Sequence, residues 1–208
     1  MVAAILDHGM REMMVEQKDV FYYVTMMNEN YAQPDLRAGS ELEIIRGCYL
    51  FNSYTAPENM GKEPKTLENE AQKITLMGSG AILTEVVKAA EQLAALGIEA
   101  TVFSVTSWSE LARDGAACQQ RLLDGETQQL EPYIAQQLSS SQGPIIAATD
   151  YVRALPESIR AFLPEGRAYL TLGTDGFGRS DTRAALRDFF GVDAASIVKA
   201  ALHCLKPI

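Results

Sequence analysis

The chain has 208 residues, with 18 Lys+Arg against 27 Asp+Glu for a formal net charge of −9, and 47% of it is hydrophobic. That length fits one domain, or one domain and part of another, and the composition is that of a folded globular protein rather than a disordered chain. An acidic surface repels phosphate backbones, which argues against generic nucleic-acid binding. The uncharged run from Ile74 to Thr84 is broken by Gly and Ser and falls well short of the ~20 apolar residues that span a bilayer.

From the start, Val2, Ile5, Leu6, Met10, Met13 and Met14 mark an apolar helical stripe that begins without a capping residue. Val20 to Val24, dense in β-branched and aromatic residues, reads as a strand, and the polar stretch with Pro34 and Gly39 as a linker. This helix and strand are too small to bury their own apolar surface, which points to the tail of another domain. Ile44 to Phe51 reads as an edge strand, and Tyr54 to Asn69 as an exposed excursion. A regular alternation follows: strand Ile74–Met77, tight turn Gly78-Ser79-Gly80, helix Ile82–Leu96 closed by Gly97, strand Glu99–Val105, and a helix capped by Ser107 or Ser109. Tyr133–Leu138 reads as a short helix, Pro144–Ala148 as a buried strand, Leu155–Leu163 as helix and Ala168–Leu172 as a further core strand. The glycine-rich loop Gly173–Gly178 and two closing helices, Asp181–Phe189 and Asp193–Leu205, complete the chain. Such alternation implies an α/β fold, a mostly parallel sheet with helices on both faces, and ligand contacts at the carboxyl ends of its strands.

The chemistry-bearing residues are sparse. The three cysteines, Cys48, Cys118 and Cys204, are widely spaced and form no CxxC or Cys/His pair of metal-ligand spacing, which points to a cytosolic protein. His8 and His203 are the only histidines, leaving little for a His-based triad. Gly78-x-Gly80 between a strand and a helix could admit a pyrophosphate, but Leu83 stands where a dinucleotide fingerprint wants its third glycine. The loop Gly173–Asp181 contains Asp175-Gly176, yet no asparagine follows Asn69 to complete a thiamine-type magnesium motif. Arg179 and Arg183 there could meet an anion at the next helix N-terminus, or the loop could be structural, with Ser180 or Asp181 capping the helix and Arg179 paired to a carboxylate. The hydroxyl cluster Ser104 to Ser109 has Glu110 but no nearby base and is expected to serve strand end and cap.

Several stretches, taken in order, carry a family resemblance: Asn28-Glu29-Asn30-Tyr31-x-x-Pro34, Leu76 to Leu83, Ser104 to Gly115, Pro132 to Gln136, Ala148 to Tyr151, Leu172 to Asp181 and Val192-Asp193-Ala194. They cover nearly the whole chain, and together they resemble the C-terminal part of the homodimeric bacterial pyruvate dehydrogenase decarboxylating component. The resemblance implies a transketolase-like C-terminal domain over residues 41–208, preceded by the tail of the pyrimidine-binding middle domain plus linker over 1–40. It also implies that thiamine diphosphate and magnesium are held by earlier parts of a longer protein, with no catalytic, cofactor-binding or metal residue in this chain. Partners implied are the remainder of the same polypeptide, a homodimer partner and the lipoyl acyltransferase of the complex, in the cytoplasm. The expected contact residues are Gly78, Ser79, Gly80, Asp175, Arg179 and Arg183. Ala32 departs from the family in standing where close relatives often show His, which leaves another short 2-oxo acid open as substrate. The alternatives are an anion- or nucleotide-binding regulatory module and an independent Rossmann-type oxidoreductase.

Overall fold

Strands β1 (Cys48–Tyr54), β2 (Lys73–Ser79), β3 (Glu99–Val105), β4 (Ile145–Ala148) and β5 (Tyr169–Leu172) form one sheet in the order β1-β3-β2-β4-β5. The computed structural model describes residues 1–32, 35–55, 72–126 and 131–206. β2, β3, β4 and β5 run parallel, and β1 closes one edge antiparallel to β3, with a register irregularity between Leu50 and Asn52.

The central strands bury both faces, so apolar residues serve two separate cores by alternation. Ile74 and Leu76 of β2, Ala100 and Val102 of β3, and Ile146 and Ala148 of β4 face one core, which α3 (Leu83–Ala95) and α8 (Ala194–Cys204) cover with Val86, Leu93, Ile197 and Ala201. Met77, Phe103, Val105, Ile145 and Ala147 face the other, covered by Trp108 and Leu111 of α4 (Trp108–Leu123) and by Tyr133, Ile134 and Leu138 of α5 (Tyr133–Leu138). The chain leaves β2 for β3 on one side, then crosses back over β2 to reach β4. The carboxyl ends of β2 and β4 therefore flank the topological switch point, where ligands of open α/β sheets gather.

Local chemistry sets the element ends. Ser107 caps α4 by accepting the Glu110 amide at 3.1 Å, Asp193 caps α8 by accepting that of Ser196 at 3.0 Å, and α3 ends before Gly97 at φ +82°. α7 (Arg183–Phe190) is capped by Thr182, whose Oγ1 accepts the Ala185 amide at 3.3 Å, rather than by Ser180 or Asp181 as the sequence suggests. The helix expected over 155–163 divides into α6 (Ala154–Glu157) and a 3-10 turn, Arg160–Phe162, around the fully buried Ile159. The edge strand starts later than expected, because a short helix α2 (Glu41–Ile45) precedes β1. The excursion expected over 54–69 falls, from residue 56 on, outside the described residues.

The N-terminal segment departs most from expectation. α1 (Val2–Met10), continued by a π-helical turn Arg11–Val15, is helical as its stripe implies. Val20–Val24, however, is not a strand: no described strand runs alongside to complete a ladder, and strand preference without a neighbour makes none. Instead Tyr22 folds back on α1. A Cβ on Gly9 would meet its ring at 2.9 Å, and its hydroxyl donates to Glu12 Oε2 at 2.5 Å.

Candidate functional site

Hydroxyl and backbone groups tie the switch point together. Ser79, ending β2, donates through Oγ to Thr149 Oγ1 at 2.9 Å, and Thr149 Oγ1 also accepts the Tyr151 amide at 3.2 Å. Thr174, just after β5, donates through Oγ1 to the Asp150 carbonyl at 2.5 Å and through its amide to the Tyr151 carbonyl at 2.9 Å. These bonds lock the loops after β2, β4 and β5 into one surface. Burial raises the Asp150 carboxyl above its ordinary 3.8, while its own backbone amide and Arg187 pull it the other way.

The glycines of this surface permit close packing. A Cβ on Gly78 would stand 2.9 Å from Val86 and 3.0 Å from Leu83, so Gly78, which belongs to β2 rather than to a turn, lets α3 lie directly against the strand. That contact accounts for Gly78 without a pyrophosphate. Gly173 is needed likewise, because a Cβ there would stand 2.7 Å from the Tyr151 carbonyl.

Beyond Gly173, Asp175 takes both the amide and the side chain of Arg153, at 2.9 and 2.5 Å. Those hydrogen bonds, side chain first, hold its carboxyl below the usual aspartate range. An open groove of ≈ 410 Å³ runs beside this pair, with Arg153, Leu172, Gly173, Asp175, Phe189 and Phe190 among its walls. At the loop tip Phe177 is 97% exposed, and Tyr151, Val152 and Phe189 add further exposed apolar surface.

Of the residues expected to act together, Gly78, Ser79, Gly80 and Asp175 lie at the same end of the sheet. Arg179 and Arg183 have other engagements. The Arg179 guanidinium stacks 3.8 Å from the Phe189 ring centroid and, among the described residues, pairs with no carboxylate, because the exposed ring offers a face that a planar cation covers well. Arg183 donates to the Asn28 carbonyl and lies 3.7 Å from Glu29 Oε2, so the anion it meets is the chain's own. Among the described residues, no hydrogen bond or ion pair joins either arginine to Gly78–Gly80.

Three residues here were not singled out from the sequence: Glu85 on α3, Arg187 on α7 and Arg153 after β4. Arg187 reaches Glu29 at 2.6 Å and Glu85 at 3.3 Å, and Glu85 also accepts the Ala194 amide at the start of α8 at 3.2 Å. The one sequence signal was the spacing of Arg183 and Arg187, four apart and so on one helix face.

No described group of three His, Cys, Asp or Glu could hold a metal ion, and both Asp175 oxygens are taken by Arg153, so these residues do not fit a thiamine diphosphate–magnesium site. Among the described residues the Ser79–Thr149 pair has no base as a hydrogen-bond partner, Ser107 is committed to its cap, and Glu110 pairs with Arg113. No described helix is long and apolar enough to cross a membrane.

The chain is 44% identical to the pyruvate dehydrogenase E1 component of Cupriavidus necator over 98% of its own length and 22% of that protein's. It is 42% identical to the pyruvate dehydrogenase E1 component of Escherichia coli strain K12 over 97% of this chain and 21% of that one. It thus spans about a fifth of the length of the curated relatives that it matches. A solved transketolase from Leishmania mexicana aligns over 83% of this chain and 21% of that one, with 19% identity and a TM-score of 0.47. The resemblance noted in the sequence is therefore borne out as similarity over nearly the whole chain. Residues 63–193, which span β2 to the cap of α8, match the description "Transketolase-like TK C-terminal domain", and the chain belongs to that family.

Proposed function

We propose that this chain is the C-terminal portion of a thiamine-diphosphate-dependent pyruvate dehydrogenase E1 component and supplies contact surface rather than catalytic groups. The observation that carries this reading is 44% identity to such a component across 98% of the chain, combined with strand ends that do not fit a metal–cofactor site. Residues 41–208 form the transketolase-like domain, and residues 1–40 are the tail of a pyrimidine-binding domain with its linker. The exposed Phe21, Tyr23, Met26 and Met14 support the second assignment, since so much uncovered apolar surface suits a segment buried by further protein. In the whole enzyme, thiamine diphosphate and magnesium, held elsewhere, supply decarboxylation of pyruvate, and the acetyl group passes to the lipoyl acyltransferase. This domain packs a cytoplasmic homodimer and borders the entrance to the reaction centre through Gly78–Gly80, Asp175 and the loop bearing Arg179 and Arg183.

The test compares the isolated chain with a protein extended upstream to the length of its relatives. Supplied with pyruvate, thiamine diphosphate, magnesium and an artificial electron acceptor, the long protein turns over pyruvate and the isolated chain does not. Decarboxylation by the isolated chain, or none by the long protein, overturns the reading.

A further inference from the structure

From Thr25 to Ala32, every residue is exposed except Glu29. Apolar burial therefore holds little of this stretch in place, although Tyr31, at 36% exposed, is partly covered. The Glu29 carboxylate instead meets two arginines on one face of α7: Arg187 Nη2 at 2.6 Å and Arg183 Nε at 3.7 Å, while Arg183 also donates to the Asn28 carbonyl. Arg187 turns its other terminal nitrogen to Glu85 Oε1 at 3.3 Å, and Glu85 is fixed by Lys88 Nζ at 2.9 Å and by the Ala194 amide at 3.2 Å. One guanidinium thus joins the N-terminal segment, α7 and α3, and through Glu85 the start of α8. A planar fork can serve two carboxylates at once, which a lysine ammonium at the same place does poorly. Arg187, Glu85 and Glu29 are 14%, 9% and 18% exposed, so salt screens this bridge less than a surface pair, though not fully.

We propose that Arg187 is a positioning residue whose grip on Glu29 holds Asn28–Tyr31 at the carboxyl end of the sheet, as a strap fastened by charge. The first turn of α3 and the start of α8 both lie at that end, so the strap presents Asn28, Asn30 and Tyr31 on the same side as Ser79 and Thr149. This deepens the contact-surface reading, and it rests on that reading only for what the presented residues would face.

The experiment is limited chymotrypsin digestion of the 208-residue chain, following cleavage after the exposed Tyr31 by mass spectrometry and normalising to cleavage beside Leu123, exposed at the end of α4. Glu29→Gln, which leaves the Arg187–Glu85 pair intact, is expected to raise normalised cleavage about five- to tenfold. Arg187→Gln gives a comparable rise, Arg187→Lys does not restore protection, and the double variant adds nothing to the larger single effect. Raising ionic strength to about 1 M, where the Debye length is ~3 Å, increases cleavage of the unaltered chain and leaves Glu29→Gln unchanged. Unchanged cleavage in Glu29→Gln, or effects that multiply in the double variant, overturns the proposal. Cleavage is read without pyruvate or thiamine diphosphate, so failure of the enzyme reading would leave this result standing.

Discussion

At the amino ends of β2, β4 and β5, a single arginine closes the sheet. Arg167 donates to the Gly143 carbonyl at 2.7 Å, the Leu138 carbonyl at 3.2 Å, Ser141 Oγ at 3.2 Å and Thr75 Oγ1 at 2.6 Å, with no carboxylate among its partners in the described residues. At the carboxyl ends, charges pair at the surface, an open groove runs beside the Arg153–Asp175 pair and Phe177 stands in solvent. Both ends are dense in polar groups, so polarity does not separate them. The amino end spends its hydrogen bonds on its own backbone, whereas the carboxyl end leaves side chains facing outward. Substitutions of the groups that close the amino end should therefore cost more stability than substitutions of outward-facing side chains at the carboxyl end.

The sharpest way to break the amino end is Gly143→Ala. Gly143 has φ +75°, and a Cβ there would stand 1.8 Å from the Lys73 carbonyl oxygen, where the β2 and β4 backbones meet through the Thr75 amide and Pro144 carbonyl at 2.9 Å. Backbone can yield neither the space nor the conformation, and the cost is about 4 kcal/mol or more. The chain should lose its cooperative thermal transition by circular dichroism; a melt within a few degrees of the parent would show that this end is not rigid.

Arg167→Ala ranks second. Burial pulls the guanidinium pKa down from its ordinary value, yet its partners are neutral carbonyls and hydroxyls that each lose a donor when it is truncated. A loss of about 2–4 kcal/mol is expected, read as a lower urea midpoint with little change in slope. A loss below ~1 kcal/mol would mean that water replaces these bonds freely.

The contrast between the ends also explains what could be read in advance. β3 and α5 match their expected bounds, because alternation and helical spacing are local properties and both segments bury what their pattern says. Val20–Val24 carries an equally strong strand signal and forms none, since a strand exists only beside another. The same holds for single residues. Arg183 was legible as an anion-binding arginine, and it does meet an anion, but the identity of that anion as Glu29 depends on the chain returning from far away in sequence. Arg167 gave no signal, because its partners are backbone carbonyls, which no sequence pattern announces.

The smallest expected effect tests the carboxyl end in the opposite sense. Asp150 is partly buried and its carboxyl is raised above 3.8, so the folded chain holds a proton there more readily than the unfolded one. As pH rises through 3.8 the unfolded form ionises first, stability falls until the folded carboxyl also ionises, and the deficit persists at neutral pH. Asp150→Asn removes the charge and should raise Tm at pH 7 by ~1–3 °C, a figure kept small because solvent still screens the site. The gain should vanish on acidification below 3.8, where both states of the parent are protonated. A gain that survives at low pH would point to a packing effect instead. If it follows the proton, the carboxyl end holds a charge that its own fold would be more stable without. At the amino end burial disfavours the Arg167 charge in the same sense, but its carbonyl and hydroxyl partners all take hydrogen bonds from it, so truncating it costs stability instead of adding it.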